Sequence, residues 1–413
     1  PEWGQVLPFS LEKQNLKTMK RDGYEYPIYF DPGSPPQLLD SENKLNNEYS
    51  WNHSFVSIWG SHHDPNDGIL WDISPNNIGN LNTDYKDLTV SSLKTKFKPI
   101  KGGDRSNGYK INPYTKKPYT KQIVPRGDYT RVIAEFWADG PDSETPPGHW
   151  FTILNYVSYH QLFERRFEGT NEIIDPVEWD VKAYFLLGGA MHDSAIAAWG
   201  LKGYYDYIRP ISAIRFMSSK GQSSDPKLPG YDPLGIKLVD NLIELVKKGD
   251  LLSGKNGENI GKIKVYSWRG HNFINDPKKD YAGVGWILAE NWFPYQRPTF
   301  VTPNFSGYVS GHSTYSRAAA EVLTLLTGNA FFPGGMGEFT AKKNKFLVSD
   351  KMTLGEFMIY IRNQIKIKPT ESLFFFIDKE IESPYKLLLQ IYNEKKIDGI
   401  LYIEYNSENT IGN

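Results

Sequence analysis

The sequence predicts a mainly α domain with long connecting loops, followed by a small α+β segment. Three features lead to this prediction. Residues 178–205 are small or apolar on nearly every helical face, which is typical of a helix surrounded by other helices. Apolar residues recur at helical spacing in several other stretches up to Gly328. Beyond Gly328 the sequence becomes rich in Lys, Ile and Glu, with short β-branched and aromatic runs.

The first part of the chain is predicted to be helical from about residue 129 onward. A long loop precedes this part at Ser91 to Arg126, because Gly102, Gly103, Pro113 and Pro118 interrupt that stretch. The periodic segments predict helices that start near Tyr129 and that cover Phe151 to Gly169, Glu178 to Tyr205, Pro233 to Lys248, Tyr281 to Trp292 and Ser313 to Gly328.

The last seventy residues predict alternating strands and helices. In chain order these are Lys345 to Val348, Thr353 to Lys366, Ser372 to Ile377, Pro384 to Lys395 and Ile400 to Tyr405. We therefore expect two domains, 1–337 and 342–413, with a boundary near residue 340. A chain of 413 residues is long enough for two separate cores.

The composition excludes several classes of protein. A net charge of -1 gives no electrostatic drive toward nucleic acid or an anionic membrane. No apolar run is long enough for a transmembrane segment. The absence of cysteine rules out disulfides, thiolate metal sites and a cysteine nucleophile. Together with the lack of a visible signal peptide, it favours a cytoplasmic location.

Two short clusters in the helical part carry candidate chemistry. In the first, Lys202 and Arg209 lie seven residues apart at a predicted helix end, and such cations often only cap carbonyl groups. In the second, Ser310, Gly311 and His312 lead into the last helix, and a Ser-Gly-His sequence alone is typical of a helix N-cap. In combination they predict an oxyanion site, in which two cations and a helix N-terminus bind the anion and His312 donates a proton.

The pair K-x6-R-P and S-G-H resembles the signature of the superfamily that joins vanadium-dependent haloperoxidases and type-2 phosphatidic acid phosphatases. The similarity extends over most of residues 1–337. It implies a haloperoxidase-like helical bundle in which Lys202 and Arg209 bind equatorial oxygens of phosphate or vanadate. It further implies that Ser310 and the Gly311 amide bind another oxygen, and that His312 is the acid–base residue. Vanadate would be the cofactor of a haloperoxidase, and a phosphatase would need none.

The third motif of that superfamily is missing. The resemblance implies S-R-x5-H-x3-D, whose histidine is the nucleophile or the vanadate ligand. Ser316-Arg317 imitates its start, but no histidine follows His312 in the sequence. We therefore expect an oxyanion-binding protein with little or no turnover. His192 and His271 are weaker candidates for a substitute, and Met191-His192-Asp193 is expected to be a satisfied core pair. His62-His63-Asp64 is expected to lie in a surface loop, and no metal is expected.

The C-terminal segment resembles the second half of GABARAP-like autophagy modifiers, which have a ubiquitin-like fold. The matching stretches include Met352 to Phe357, Leu373 to Ile377 and Gly399 to Tyr405. The resemblance implies conjugation through Gly412 after removal of Asn413. It also implies a pocket for aromatic-x-x-aliphatic peptides, lined by Lys345, Phe346, Leu347, Val348, Phe357 and Ile361. The leading helices and first strand of that family have no counterpart in this chain.

Two functions are therefore expected, with different partners. The first is haloperoxidase- or acid-phosphatase-like binding of a small oxyanion or phosphate ester; the alternative is a conjugated tag or peptide-binding module. Each resemblance lacks the part that would lie near residue 340. We therefore hypothesise that the chain is a chimera, which peptide mapping of native material across residues 335–350 would test.

Overall fold

The computed structural model describes residues 2–76, 110–136, 144–276, 280–298, 300–335, 352–365, 371–377, 380–383, 385–396 and 401–409. The chain divides into two compact units, Pro1–Glu338 and Phe339–Asn413. Each unit has its own hydrophobic core among the described residues.

The first unit combines long helices with short antiparallel strands. Its helices are α1 (Asn47–Trp59), α2 (Arg126–Phe136), α3 (Pro146–Ser158), α4 (Pro176–Tyr205), α5 (Pro210–Lys220) and α6 (Gly311–Thr327). Its strands are β1 (Leu16–Arg21), β2 (Tyr24–Tyr29), β3 (Leu70–Asp72), β4 (Ile123–Pro125), β5 (Ile243–Leu245), β6 (Ile263–Trp268) and β7 (Val284–Leu288). The strands form two antiparallel pairs, the hairpin β1–β2 and the long-range pair β3–β4, and an antiparallel sheet of order β5-β6-β7.

Helix α4 is the central element of the first unit. Its bounds are close to the predicted Glu178 to Tyr205. It begins where the Asp175 carboxylate accepts hydrogen bonds from Val177 N and Glu178 N, and Pro176 occupies its first turn. Its apolar face packs against α3 and α6 in a core that contains Trp179, Ala183, Leu187, Met191, Leu154, Tyr315, Ala319 and Leu326. Full burial of a large apolar side chain of this kind stabilises the fold by about 1.5–3 kcal/mol.

A second core of the first unit lies between α1, α5 and the β5-β6-β7 sheet. Here the predicted helix Pro233 to Lys248 is wrong, because the segment contains turns and β5. Asn241 adopts a left-handed conformation (φ 63°), and the β-branched Ile243 pairs with Val265 of β6. The predicted helix Tyr281 to Trp292 is also wrong, because Gly283 has φ 68° and β7 follows it.

Other predictions for the first unit differ in their bounds. The helix predicted over Phe151 to Gly169 is α3, which begins earlier and ends at Ser158. Helix α6 agrees closely with the predicted Ser313 to Gly328, and Gly328 ends it in the left-handed conformation. The β1–β2 hairpin was not predicted, although its turn is Asp22-Gly23, with φ of 51° and 81°. Most of the predicted loop Ser91 to Arg126 lies outside the described residues.

The second unit is a small α+β segment. It contains α7 (Leu354–Ile365), β8 (Glu371–Ile377), β9 (Glu380–Ile381), α8 (Leu388–Lys395) and β10 (Glu404–Asn409), with strand order β10-β8-β9. Helix α7 and strand β8 agree with the predictions. The last strand begins at Glu404 rather than Ile400, and residues 401–403 are not in a strand. The predicted strand Lys345 to Val348 lies outside the described residues.

Candidate oxyanion site

The first predicted cation, Lys202, is buried near the C-terminal end of α4. Asp206 ends the helix in the left-handed conformation, and its N–H donates to the carbonyl of Lys202. The Lys202 side chain is only 5% exposed. Its Nζ donates to the carbonyl of Ser306 at 2.8 Å and lies 5.3 Å from the ring centroid of Phe305. The ammonium is therefore held by a main-chain oxygen and an aromatic face.

The second predicted cation, Arg209, precedes α5. Its backbone is extended, and Pro210 begins the helix. Nε of Arg209 donates to the carbonyl of Phe305 at 2.6 Å, and Cζ lies 4.9 Å from the centroid of the Phe305 ring. Both cations therefore bind consecutive carbonyls, those of Phe305 and Ser306, and both contact the same ring.

The electrostatics of this pair are unfavourable in the isolated protein. Burial, and then the charge of Arg209, lower the pKa of Lys202 to about 8. Burial also lowers the pKa of Arg209. Within the described part of the chain, no carboxylate forms an ion pair with either side chain. The two positive charges are thus partly desolvated and adjacent, without a negative partner from these residues.

The N-terminus of α6 carries the second predicted cluster. Ser310 is the N-cap, and its Oγ accepts from Ser313 N at 3.2 Å. Its hydroxyl is therefore engaged in capping. Gly311 begins the helix against Trp199, since a Cβ at this position would lie 3.1 Å from the indole ring. His312 follows in the first turn and is half-buried.

Trp199 connects the two clusters. It lies on α4 one turn before Lys202, and Lys202 Nζ is 5.7 Å from its ring centroid. Its ring centroid is 5.6 Å from that of Phe305 and 6.0 Å from that of Tyr315 on α6. The indole therefore touches the segment that binds both cations and the first turns of α6. Sequence reasoning missed Trp199 and Phe305, although both aromatic residues lie close to the motifs in the sequence.

Ser306 is a further buried residue that sequence reasoning missed. Its Oγ accepts from Tyr207 N at 2.8 Å and donates to the carbonyl of Tyr308 at 3.0 Å. Gly307 N donates to the carbonyl of Tyr207 at 3.0 Å. The segment before Ser310 is thereby joined to the segment between Lys202 and Arg209. No local pattern signals these contacts, because the partners lie about 100 residues apart.

Tyrosine side chains fix the same two segments to the loop after β2. The hydroxyl of Tyr205 donates to Asp31 Oδ1 at 2.6 Å, and that of Tyr308 donates to the carbonyl of Gly33 at 2.9 Å. Tyr207 donates in the same way to the carbonyl of Pro36 at 2.6 Å. Burial and the hydrogen bond to Asp31 raise the pKa of Tyr205 above its ordinary value.

The candidate substitutes for the missing imidazole, His192 and His271, have hydrogen-bond partners in other segments. His192 is exposed, with Nε2 3.0 Å from the carbonyl of Leu7, and His271 Nε2 is 3.0 Å from the carbonyl of Gln296. Ser316 Oγ accepts from Trp150 Nε1, and Arg317 pairs with Glu321 on the outer face of α6. Among the described residues, no group of His, Asp and Glu is arranged to hold a metal ion.

Two expectations about histidines differ from the structure. His192 and Asp193 do not form a core pair: Asp193 is buried, but its carboxylate accepts from Phe9 N, Ser10 N and Leu11 N. His62 and His63 are not in an exposed loop either. Their segment is a 3₁₀ helix beside α2, His62 is buried, and the ring of His63 stacks on Tyr295 with centroids 4.5 Å apart. Burial lowers the pKa of His63 to about 3.

The residues expected to line a peptide pocket in the second unit are only partly described. Phe357 and Ile361 are buried in its core with Phe375, Ile377, Leu388 and Ile391. The remaining expected pocket residues, Lys345, Phe346, Leu347 and Val348, and the expected conjugation site Gly412, lie outside the described residues.

Two family models match parts of the chain. The family model of the VCPO second helical-bundle domain matches residues 182–361, a range that includes Lys202, Arg209, Ser310, Gly311 and His312. The family model of the ubiquitin-like autophagy protein Atg8 matches residues 338–412. The chain thus joins a helical-bundle domain of the VCPO class to an Atg8-type ubiquitin-like segment. The two matches overlap at residues 338–361.

Two curated proteins illustrate the similarity of the C-terminal part. Autophagy-related protein 8 of Coccidioides immitis is 43% identical over 75 residues, which are 18% of this chain and 64% of the relative. Autophagy-related protein 8 of Mycosarcoma maydis is 40% identical over 74 residues, which are 18% of this chain and 63% of the relative. The chain therefore spans less than two thirds of these relatives. No helix in the described part of the chain has the length and apolar character to span a membrane.

Proposed function

We propose that the first unit binds a tetrahedral oxyanion, phosphate or vanadate, between Lys202, Arg209 and the N-terminus of α6. In this proposal the two cations bind equatorial oxygens, and the amide of Gly311 binds another oxygen together with Ser310. The match to the VCPO second helical-bundle domain supports this assignment, because it includes all of these residues.

The observation that carries the proposal is a pair of adjacent, partly desolvated cations, of which Lys202 is buried and Arg209 is half-buried. Lys202 and Arg209 contact the same aromatic ring, and Arg209 contributes to the lowered pKa of Lys202. Buried charges in proteins are normally paired with an opposite charge, because removing an ion from water is costly. Among the described residues, no carboxylate pairs with Lys202 or Arg209. A bound dianion would neutralise the charges of both side chains. The Arg209 guanidinium also retains Nη groups that can bind two oxygens of a tetrahedral anion.

The chemistry expected at this site is limited. His312 follows the amide of Gly311 directly, so its imidazole is the group that can donate a proton to an oxygen of the anion. Vanadate, when bound in such a site, would supply activation of peroxide for halide oxidation. The donor set fits vanadate held by charge and hydrogen bonds. It does not supply the covalent imidazole ligand or nucleophile, because no histidine follows His312. We therefore propose weak or no turnover with either halide and peroxide or a phosphate ester.

A titration with inorganic phosphate and vanadate tests the proposal. We expect binding by calorimetry with the full chain and a loss of at least tenfold in affinity for Arg209→Met. Arg215→Met is a matched control, because Arg215 Nε also donates to a carbonyl, that of Trp292, and its guanidinium also lies over a ring, that of Phe293. Equal losses in both variants, or no binding by the unmodified chain, would contradict an oxyanion site at Arg209.

We propose as the alternative function that the second unit is an Atg8-like module that binds aromatic-x-x-aliphatic peptides. The match over residues 338–412 supports it, and the core of Phe357, Ile361 and Phe375 provides a folded platform. Lys345 to Val348 would line the pocket, and Gly412 would be the site of conjugation. Capture of the full chain on an immobilised peptide of this motif tests the proposal, with a peptide whose aromatic and aliphatic residues are alanine as the control. Equal capture by both peptides would contradict it.

A further inference from the structure

Ser306 lies at the point where the two segments of the oxyanion site meet. It is 7% exposed, and its hydroxyl bonds to both segments: it accepts from Tyr207 N and, more weakly, from Tyr308 N, and it donates to the carbonyl of Tyr308. Tyr207 lies between Lys202 and Arg209, and Tyr308 lies two residues before Ser310. This hydroxyl therefore helps to fix the relative position of both predicted motifs.

The main-chain atoms beside this hydroxyl hold the cations. The carbonyl of Phe305 accepts from Arg209 Nε at 2.6 Å, and the carbonyl of Ser306 accepts from Lys202 Nζ at 2.8 Å. The next residue, Gly307, donates from its N–H to the carbonyl of Tyr207. Residues 305–307 are in neither a helix nor a strand. Their carbonyl directions therefore depend on contacts such as those of the Ser306 side chain, because no regular ladder fixes them.

Lysine and arginine have long side chains that lose considerable rotamer entropy when they are held in one position. A carbonyl in a fixed position selects the rotamers that reach it. In this site the two carbonyls come from adjacent residues, so a change in the direction of one alters both cations. Phe305 and Gly307 have no side-chain polar group, which leaves the Ser306 hydroxyl as the side-chain hydrogen-bonding group of this segment.

We propose that Ser306 is a positioning residue of the oxyanion site, whose hydroxyl holds the carbonyls that aim Lys202 and Arg209 at a common anion. This inference rests on the proposed oxyanion-binding function. Ser306 does not itself contact the anion; it acts through the two cations.

The first experiment compares Ser306→Ala with Ser267→Ala by calorimetric titration of the full chain with inorganic phosphate. Ser267 is a matched control, because it is fully buried, accepts from Trp292 Nε1 at 3.1 Å and donates to the carbonyl of Ser57 at 3.2 Å. We expect about tenfold weaker phosphate binding for Ser306→Ala, from the loss of the hydrogen bonds of its hydroxyl, and a change below about twofold for Ser267→Ala. Equal effects of the two variants would overturn the proposal.

A second comparison separates positioning from general loss of stability. Ser306→Thr and Ser306→Val add the same bulk, but only threonine retains a hydroxyl. We expect Ser306→Thr to bind phosphate at least fivefold more tightly than Ser306→Val. In a Lys202→Met background, Ser306→Ala should change phosphate affinity by only about threefold, because only its effect through Arg209 remains. A full tenfold effect in that background, or equal affinities of the Thr and Val variants, would overturn the proposal.

The outcomes also separate this inference from the proposed function. If the unmodified chain binds neither phosphate nor vanadate, the oxyanion site itself is wrong, and the role of Ser306 is wrong with it. A different result would overturn only the positioning role. In that result the unmodified chain binds phosphate and Arg209→Met weakens this binding, but the Ser306 variants do not.

Discussion

Gly311, the first residue of α6, lies directly against the indole ring of Trp199 on α4. A Cβ at Gly311 would be 3.1 Å from the ring, which is closer than an ordinary van der Waals contact. Glycine is therefore favoured here by the neighbouring ring and not by backbone conformation. The contact brings the N–H groups at the start of α6 close to the ring beside which the Lys202 ammonium lies.

The variant Gly311→Ala is predicted to weaken oxyanion binding. The added methyl must move either the ring of Trp199 or the start of α6 by a few tenths of an ångström, and both lie beside the proposed anion. We expect a loss of about three- to tenfold in phosphate affinity, measured by calorimetry. The double variant Gly311→Ala/Trp199→Phe, with its smaller ring, should recover part of the loss. No loss in Gly311→Ala would contradict a close fit between the helix start and the anion.

Anion binding is predicted to weaken as the pH rises through about 8. The pKa of Lys202 is lowered to about 8, mainly by burial, so the ammonium loses its proton above this pH and no longer attracts an anion. Sulfate is the suitable probe, because its own charge is constant in this range. We expect its affinity to fall by up to about tenfold per pH unit above 8, and Lys202→Arg to remove this dependence. A flat profile for the unmodified chain would show that Lys202 does not bind the anion.

The same pKa predicts the sign of a stability change in the absence of anions. Lys202 has a lower pKa in the folded chain than in the unfolded chain, so the unfolded state binds more protons between pH 8 and about 10.5. The contribution of Lys202 to the free energy of unfolding should therefore rise with pH across this interval. Denaturant unfolding of the unmodified chain and of Lys202→Met measures it, and the difference between the two should change most above pH 8.

The sequence predicted the elements whose pattern is local. Helix α4 is apolar on nearly every face, and helix α6 begins at Gly311, two residues before the predicted Ser313, and ends just before the predicted stop Gly328. The segments Pro233 to Lys248 and Tyr281 to Trp292 were predicted as helices because their apolar residues recur at suitable spacing. Each segment instead contributes a strand, β5 or β7, to the β5-β6-β7 sheet. Both strands are extended because they pair with β6.

The site was predictable only in its charged and helix-capping residues. Lys202, Arg209 and Ser310 lie in recognisable motifs, whereas Ser306 acquires its contacts from residues about 100 positions away. The Asp22-Gly23 turn of the β1–β2 hairpin did have a local signal. However, the residues of β1 that precede this turn are polar on both faces of the strand. The alternation of apolar and polar residues that would indicate a strand is therefore weak.

Asp193 is predicted to anchor the N-terminal segment to α4. Its carboxylate is 5% exposed and accepts from the N–H groups of Phe9, Ser10 and Leu11, and from the hydroxyl of Ser10. Asp193→Ala removes a buried charged acceptor, so we expect the free energy of unfolding to fall by about 2–3 kcal/mol in urea titrations. Asp193→Asn retains one acceptor oxygen and should lose less. Hydrogen exchange at residues 9–11 should accelerate in Asp193→Ala, and unchanged exchange there would contradict the anchoring role.

The two units are predicted to lose stability separately. Phe357 is 6% exposed in the core of the second unit, with its ring centroid 5.7 Å from that of Phe375. Phe357→Ala leaves a cavity in a small core, and the expected loss is about 3–5 kcal/mol for that unit. Tyr385→Ala is the control, because Tyr385 is 88% exposed and should change stability by less than about 0.5 kcal/mol. Hydrogen exchange with peptide resolution should show faster exchange in α7, β8 and α8 of Phe357→Ala, whereas α4 and α6 exchange as in the unmodified chain. Faster exchange in α4 as well would mean that the cores of the two units are energetically coupled.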